Sequence, residues 1–166
     1  MTKIEHILDY AKDSCLTHGS HLTPKRKVIL MGLIESGKAL SAYELVDYCK
    51  ENYSEVIPVM SVYRILEFFQ QLHLVHRLHI VNKYVSCSHI LDDDDNECSL
   101  FLICTKCNKV KEVHVDESML RNLKNSINDS EFHVVTPQLE LECECDECAE
   151  KDTQNRSSQK MNQDKR

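Results

Sequence analysis

The chain has 166 residues, a hydrophobic fraction of 42% and a formal charge of −7. That suffices for one ordinary domain or two small ones with packed cores. No apolar run nears the roughly eighteen residues a membrane span needs, and three Gly and three Pro exclude collagen-like and largely disordered classes.

Residues 3–16 place Ile4, Ile7, Leu8, Ala11 and Cys15 at helical spacing, and His18-Gly19-Ser20 ends that helix. Thr23 is an N-cap and Pro24 a first-turn residue for a second helix, which carries Val28, Ile29, Leu33 and Ile34 and stops near Gly37. Ser41 with Glu44 has capping-box spacing and opens a third helix containing Leu45, Val46 and Cys49. Pro58 precedes a fourth, whose buried stripe is Val62, Ile65, Leu66, Phe69 and Leu72. From Leu74 to Val85 the period changes to that of two short strands turning at Asn82-Lys83. Four helices followed by a hairpin is the order of a winged helix-turn-helix, with the helix before the hairpin entering the major groove.

The second half begins with a loop over 88–98 that holds Asp92–Asp95. Ser99–Cys104 and Val110–Val115 are expected as strands around a cysteine-bearing turn. Asp116 caps a helix over 117–128, and Phe132–Leu141 returns as a strand. This is a small α+β unit with few hydrophobes, a size that often needs a staple. Charge divides the same way: balanced over 1–82, strongly acidic over 83–150, basic over 151–166. The predicted divisions are 1–82, 83–148 and a disordered tail, 149–166, which is polar and aperiodic.

Nine cysteines with no secretory segment point to metal rather than disulfides, and the compartment expected is cytoplasmic. Cys104-Thr-Lys-Cys107 and Cys145-Asp-Glu-Cys148 are two C-x-x-C turns, each able to offer two thiolates to one ion. Together they complete a tetrahedron and clip the start of the second domain to its end, so that binding energy becomes folding energy. Cys143 is an alternative to Cys145 as a member of the second pair. A thiol oxidoreductase fits two such turns poorly, and no nucleophile–base pair is visible, so an enzyme is not expected. On the fourth helix, Ser61, Tyr63 and Arg64 lie opposite the apolar stripe, where they can reach phosphates and base edges.

Leu22-Thr-Pro-Lys-Arg26, Ser41-Ala-Tyr-Glu-Leu45, Ser61-Val-Tyr-Arg64 and Cys104-x-x-Cys107 with Val110-Lys-Glu112, in that order and spacing, resemble the ferric-uptake-regulator family. Over about residues 5–148 the chain looks most like its zinc-uptake regulator branch. The iron branch carries a His-rich run where this chain has Asp92-Asp-Asp-Asp-Asn-Glu-Cys98.

The resemblance implies a bacterial, cytoplasmic homodimer: an N-terminal winged-helix DNA-binding domain followed by a small α/β dimerisation domain. It implies one structural zinc and at least one regulatory zinc per protomer, and repression of zinc-uptake genes through palindromic operator DNA. It also implies His76, Cys87 and Glu112 as regulatory ligands. The branch's fourth ligand is a His seven residues before the first Cys of the C-x-x-C; here that position is Glu97, with Cys98 and His89 as neighbouring alternatives. Tyr43 and Arg64 are implied as base readers, with Tyr63 and Arg26 nearer the backbone. Asp47 and Lys50 stand where the branch forms contacts between adjacent dimers. The same family holds iron, manganese and peroxide sensors, and a zinc-storage or thiol redox protein is the reading outside it.

Overall fold

The computed structural model describes residues 2–88, 90–91, 98–133 and 138–151. They fall into two compact units, Met1–Asp95 and Asn96–Arg166.

In the first unit, α1 (Lys3–Thr17) opens with a Thr2/Glu5 capping box and closes at Gly19, whose φ of 67° places it in the left-handed region. Thr23 caps α2 (Pro24–Ser36), and Ser41 with Glu44 forms the capping box of α3 (Ala42–Tyr53). α4 (Val59–Gln71) follows Pro58 and ends at His73, φ 56°, where Leu74 N–H reaches Phe69 O at 3.0 Å. Ala11 and Cys15 of α1, Ile29 and Leu33 of α2, Leu45 of α3, and Leu66 and Phe69 of α4 meet in one core. α2 and α3 approach closely at Gly32. A Cβ there would stand 3.0 Å from Leu45 Cδ1 and 3.3 Å from Cys49 Sγ.

The antiparallel hairpin β1 (Val75–Leu78) and β2 (Lys83–Ser86) closes the unit. Leu40, just before α3, exchanges hydrogen bonds with Tyr84 at 2.8 and 3.0 Å, so the hairpin is tied to the entry of α3. Lys83 Nζ adds an ion pair with Glu44 Oε1 at 2.8 Å. This is the helix-and-wing arrangement expected. Two details differ. Lys83 already pairs with Leu78, so the turn spans His79–Asn82, with Asn82 at φ 50°. The first unit also extends past 82, because cutting there would separate β2 from the strand that supplies its hydrogen bonds.

The second unit holds β3 (Ser99–Cys104), β4 (Val110–His114), α5 (Glu117–Asn128) and β5 (Gln138–Cys143), with sheet order β4-β3-β5. β3 pairs antiparallel with β4 and parallel with β5, in register from Ser99↔Gln138 to Cys104↔Cys143. Asp116 caps α5 by accepting from Met119 N–H at 2.9 Å. Cys98, Val115 and Leu120, with Leu100 and Leu139 against them, form a small core. The returning strand starts later than Phe132, which is exposed, and runs on to Cys143. Residues 146–151 are helical, so the polar tail begins after them; 152–166 lie outside the described residues.

Candidate metal centres and nucleic-acid face

Cys104 is the last residue of β3, and Cys107 sits in the turn to β4, where Asn108 N–H bonds Cys104 O at 2.9 Å with φ 57°. Cys145 follows β5, and Cys148 N–H closes a helical turn on Cys145 O at 2.9 Å. Parallel pairing ends β3 and β5 at the same side of the sheet, and Thr105 N–H bonds Cys143 O at 2.9 Å, which sets the two turns side by side. The four Sγ atoms of Cys104, Cys107, Cys145 and Cys148 all lie within 4.8 Å of one another, with Cys107 and Cys145 at 3.6 Å. A tetrahedral ion with Zn–S of about 2.3 Å needs sulfurs about 3.8 Å apart, so the donor set fits zinc.

Electrostatics agree. The Cys104 thiol is pulled down to about 6, chiefly by the backbone N–H of Cys145 and then by those of Cys107 and Lys106, which makes it a thiolate at neutral pH. Cys148 is pushed up to about 12 by the side chains of Cys145 and then Cys107. Sulfurs this close resist carrying charge together, and a dication reverses that preference. Lys106–Glu144 at 2.8 Å and Lys109–Glu147 at 2.7 Å bridge the two turns from outside. Cys143 stands apart: it is in the strand, its thiol directed to Leu141 O at 3.4 Å. Cys145 is therefore the member of the second pair that the structure brings to the cluster.

His76 lies on β1 opposite Val85, half-buried, with its Nε2 shielded from solvent. Cys87 follows β2, held by its N–H to Leu74 O at 3.0 Å, and its Sγ lies within 4.8 Å of a His76 ring nitrogen. Glu112 is on β4, opposite Phe101 and half-buried. Glu97 and His89 lie outside the described residues. Cys98, the other alternative, belongs to the small core with Val115 and Leu120, and burial pushes its thiol up, which disfavours the ligating thiolate.

On the first unit, Arg64 is exposed on α4, Ser61 and Tyr63 are half-exposed near its N-terminal end, and Tyr43 is exposed in the first turn of α3. Arg26 differs. It is half-buried, and its guanidinium is engaged by neighbouring side chains and backbone. It also lies over the Phe68 ring of α4, a contact that carries no local sequence signal, since the partners are far apart in the chain. Among the described residues no helix is long and apolar enough to cross a membrane.

A family model described as the ferric uptake regulator family matches residues 17–142. The chain belongs to this family. The family is one of transcription regulators rather than enzymes. The zinc uptake regulation protein of Escherichia coli (strain K12) is 33% identical over 111 residues, covering 67% of this chain and 63% of that protein. The matched region thus spans less than two thirds of that relative's length. A structure described as a zinc uptake regulator complexed with zinc and DNA matches with a TM-score of 0.78 and 27% identity, over 92% of this chain and 99% of that one. The holo form of XcZur matches with a TM-score of 0.70 and 29% identity, over 88% and 98%. Within this ferric uptake regulator family, these likenesses are to zinc uptake regulators.

Proposed function

We propose that the protein is a cytoplasmic, zinc-responsive repressor that binds palindromic operator DNA as a homodimer when zinc-loaded and shuts off zinc-uptake genes. Cys104, Cys107, Cys145 and Cys148 hold a structural zinc whose role is to tie β3 to the end of β5. His76, Cys87 and Glu112, with Glu97 as the fourth donor, hold a regulatory zinc. A winged-helix unit whose α4 presents Ser61, Tyr63 and Arg64, beside Tyr43 of α3, supplies the DNA-reading face. Arg64 is suited to bidentate pairing with guanine, and tyrosine to thymine methyls or phosphates.

The observation that carries the metal assignment is the wing-side pair: a cysteine sulfur within 4.8 Å of a histidine nitrogen. A soft thiolate beside an imidazole selects zinc over iron or manganese, which favour oxygen and nitrogen donors. Likeness to zinc uptake regulators at 27 to 33% identity supports the same choice. Zinc raises DNA binding only as far as it prefers the DNA-competent state over the other, so the gain is bounded by that preference.

The test is metal stoichiometry on the purified protein, then titration of DNA binding against buffered free zinc. One tightly held zinc per protomer, with a second that switches DNA affinity on, is expected. Cys87→Ser should abolish the switch and keep the first zinc. DNA binding indifferent to zinc but responsive to iron or manganese would keep the fold and overturn the sensing assignment.

A further inference from the structure

Arg26 stands in the first turn of α2, where the family resemblance puts a contact to the DNA backbone. Its surroundings assign it other work. Nη1 donates to Ser20 Oγ at 2.6 Å and to His21 O at 2.7 Å, both in the connection between α1 and α2. Cζ lies 3.8 Å from the centroid of the Phe68 ring on α4. Its backbone N–H is held by Thr23 Oγ1 at 3.4 Å. One side chain therefore touches the α1–α2 connection and the helix that carries Arg64.

The geometry points to Arg26 as a positioning residue for the recognition helix, not a phosphate contact. This rests on the DNA-binding reading above and concerns how that face is held. Phe68 is four residues after Arg64, so both lie on one face of α4. A planar cation seated on the Phe68 ring fixes the rotation of α4 about its own axis, and with it the direction in which Arg64 leaves the helix. The two hydrogen bonds from Nη1 anchor the guanidinium at its other end. A lysine would keep the charge but lose both the flat stacking surface and the fork of donors.

The distinction can be measured with Arg26→Lys, Phe68→Leu and the double variant in the full-length, zinc-loaded protein. The specific probe is the duplex that the wild type selects from a random-sequence pool in the presence of zinc; the control is a scrambled duplex of the same length. For a positioning residue, Arg26→Lys loses about tenfold in affinity for the selected duplex, keeps its affinity for the scrambled one within about twofold, and leaves the salt dependence unchanged. Phe68→Leu does the same, and the double variant is no worse than either single variant, because both remove one contact. Amide exchange in α4 without DNA should quicken in both single variants. A phosphate contact predicts otherwise: Arg26→Lys binds both duplexes like the wild type, while Arg26→Ala weakens both equally and lowers the salt slope by about one. That result, or additive losses in the double variant, overturns the proposal. If the zinc-loaded wild type selects no duplex at all, the repressor reading falls by itself. The exchange measurement then decides the clamp, and unchanged α4 exchange overturns it.

Discussion

Replacing Cys145 with Ser removes one of the four converging sulfurs and gives a direct measure of what the metal does for the second unit. The residue separation between Cys107 and Cys145 is 38. A cross-link closing a loop of that length withdraws about 4 kcal/mol of conformational freedom from the denatured chain. A unit of this size commands only about 5 kcal/mol in all, and the buried apolar side chains among its described residues outside the sulfur cluster, Cys98, Phe101, Ile103, Val115 and Leu120, offer little reserve. The variant should therefore lose its tightly held zinc and leave the region from Ser99 to Cys148 near its unfolding midpoint at room temperature. The core of the first unit includes none of the four cysteines, so its melting should move by no more than about 2 °C on the usual scaling for a small effect. The assay is zinc content by mass spectrometry, with thermal melting followed through resolved amide signals from each unit at fixed protein concentration. A zinc-free variant whose second unit melts with the wild type would refute the staple argument.

Glu44 closes the capping box of α3 and pairs with Lys83 of the wing; the ion pair first, then the Ser41 N–H, holds its carboxyl below the usual range. Its contribution is thus fully present above the ordinary carboxylate range and disappears as pH falls through the lowered value. Glu44→Gln should cost less than about 1 kcal/mol at pH 7, given its 47% side-chain exposure, and the gap to the wild type should close in acid; a gap that widens in acid contradicts the assignment. Gly32→Ala gains about 1 kcal/mol of helix propensity. Its methyl would meet Leu45 Cδ1 at 3.0 Å, and overpacking costs about 1–3 kcal/mol. A net loss of about 1 kcal/mol in thermal melts is expected, and a stabilised variant would show that Leu45 yields freely.

What the sequence made legible was what local rules govern. Thr23, Ser41 and Asp116 each cap the helix their position announces. The paired C-x-x-C turns converge on one site, as two such turns lead one to expect. The choice between Cys143 and Cys145 was not legible, because it depends on the parallel register that puts Cys143 opposite Cys104 inside the sheet. The hairpin turn differs from the sequence expectation for a similar reason: Asn82-Lys83 has turn character, yet pairing with Leu78 holds Lys83 in the strand. Phe132 lies outside strand β5, whose described pairing with β3 runs from Ser99↔Gln138, and nothing near Phe132 in sequence records that pairing. Arg26 shows the limit most plainly. Its motif is local, but its contact with the Phe68 ring exists only once four helices have packed.

The sulfur cluster also constrains the direction in which the chain can return. β3 and β5 run the same way, so the cysteines that follow each strand emerge at one end of the sheet. Laid against β3 in the opposite sense, the six residues of β5 would carry Cys145 and Cys148 to the far end, about 20 Å from Cys104 at about 3.3 Å per residue. Two sulfurs at each end hold a cation far less tightly than four around it. A chain that had formed the easier antiparallel ribbon would be left without an ion, while one that had made the crossover through α5 would be locked by it. A metal held at these cysteines would thereby proofread topology, and the placement of the two pairs would carry an instruction about strand polarity alongside its chemistry.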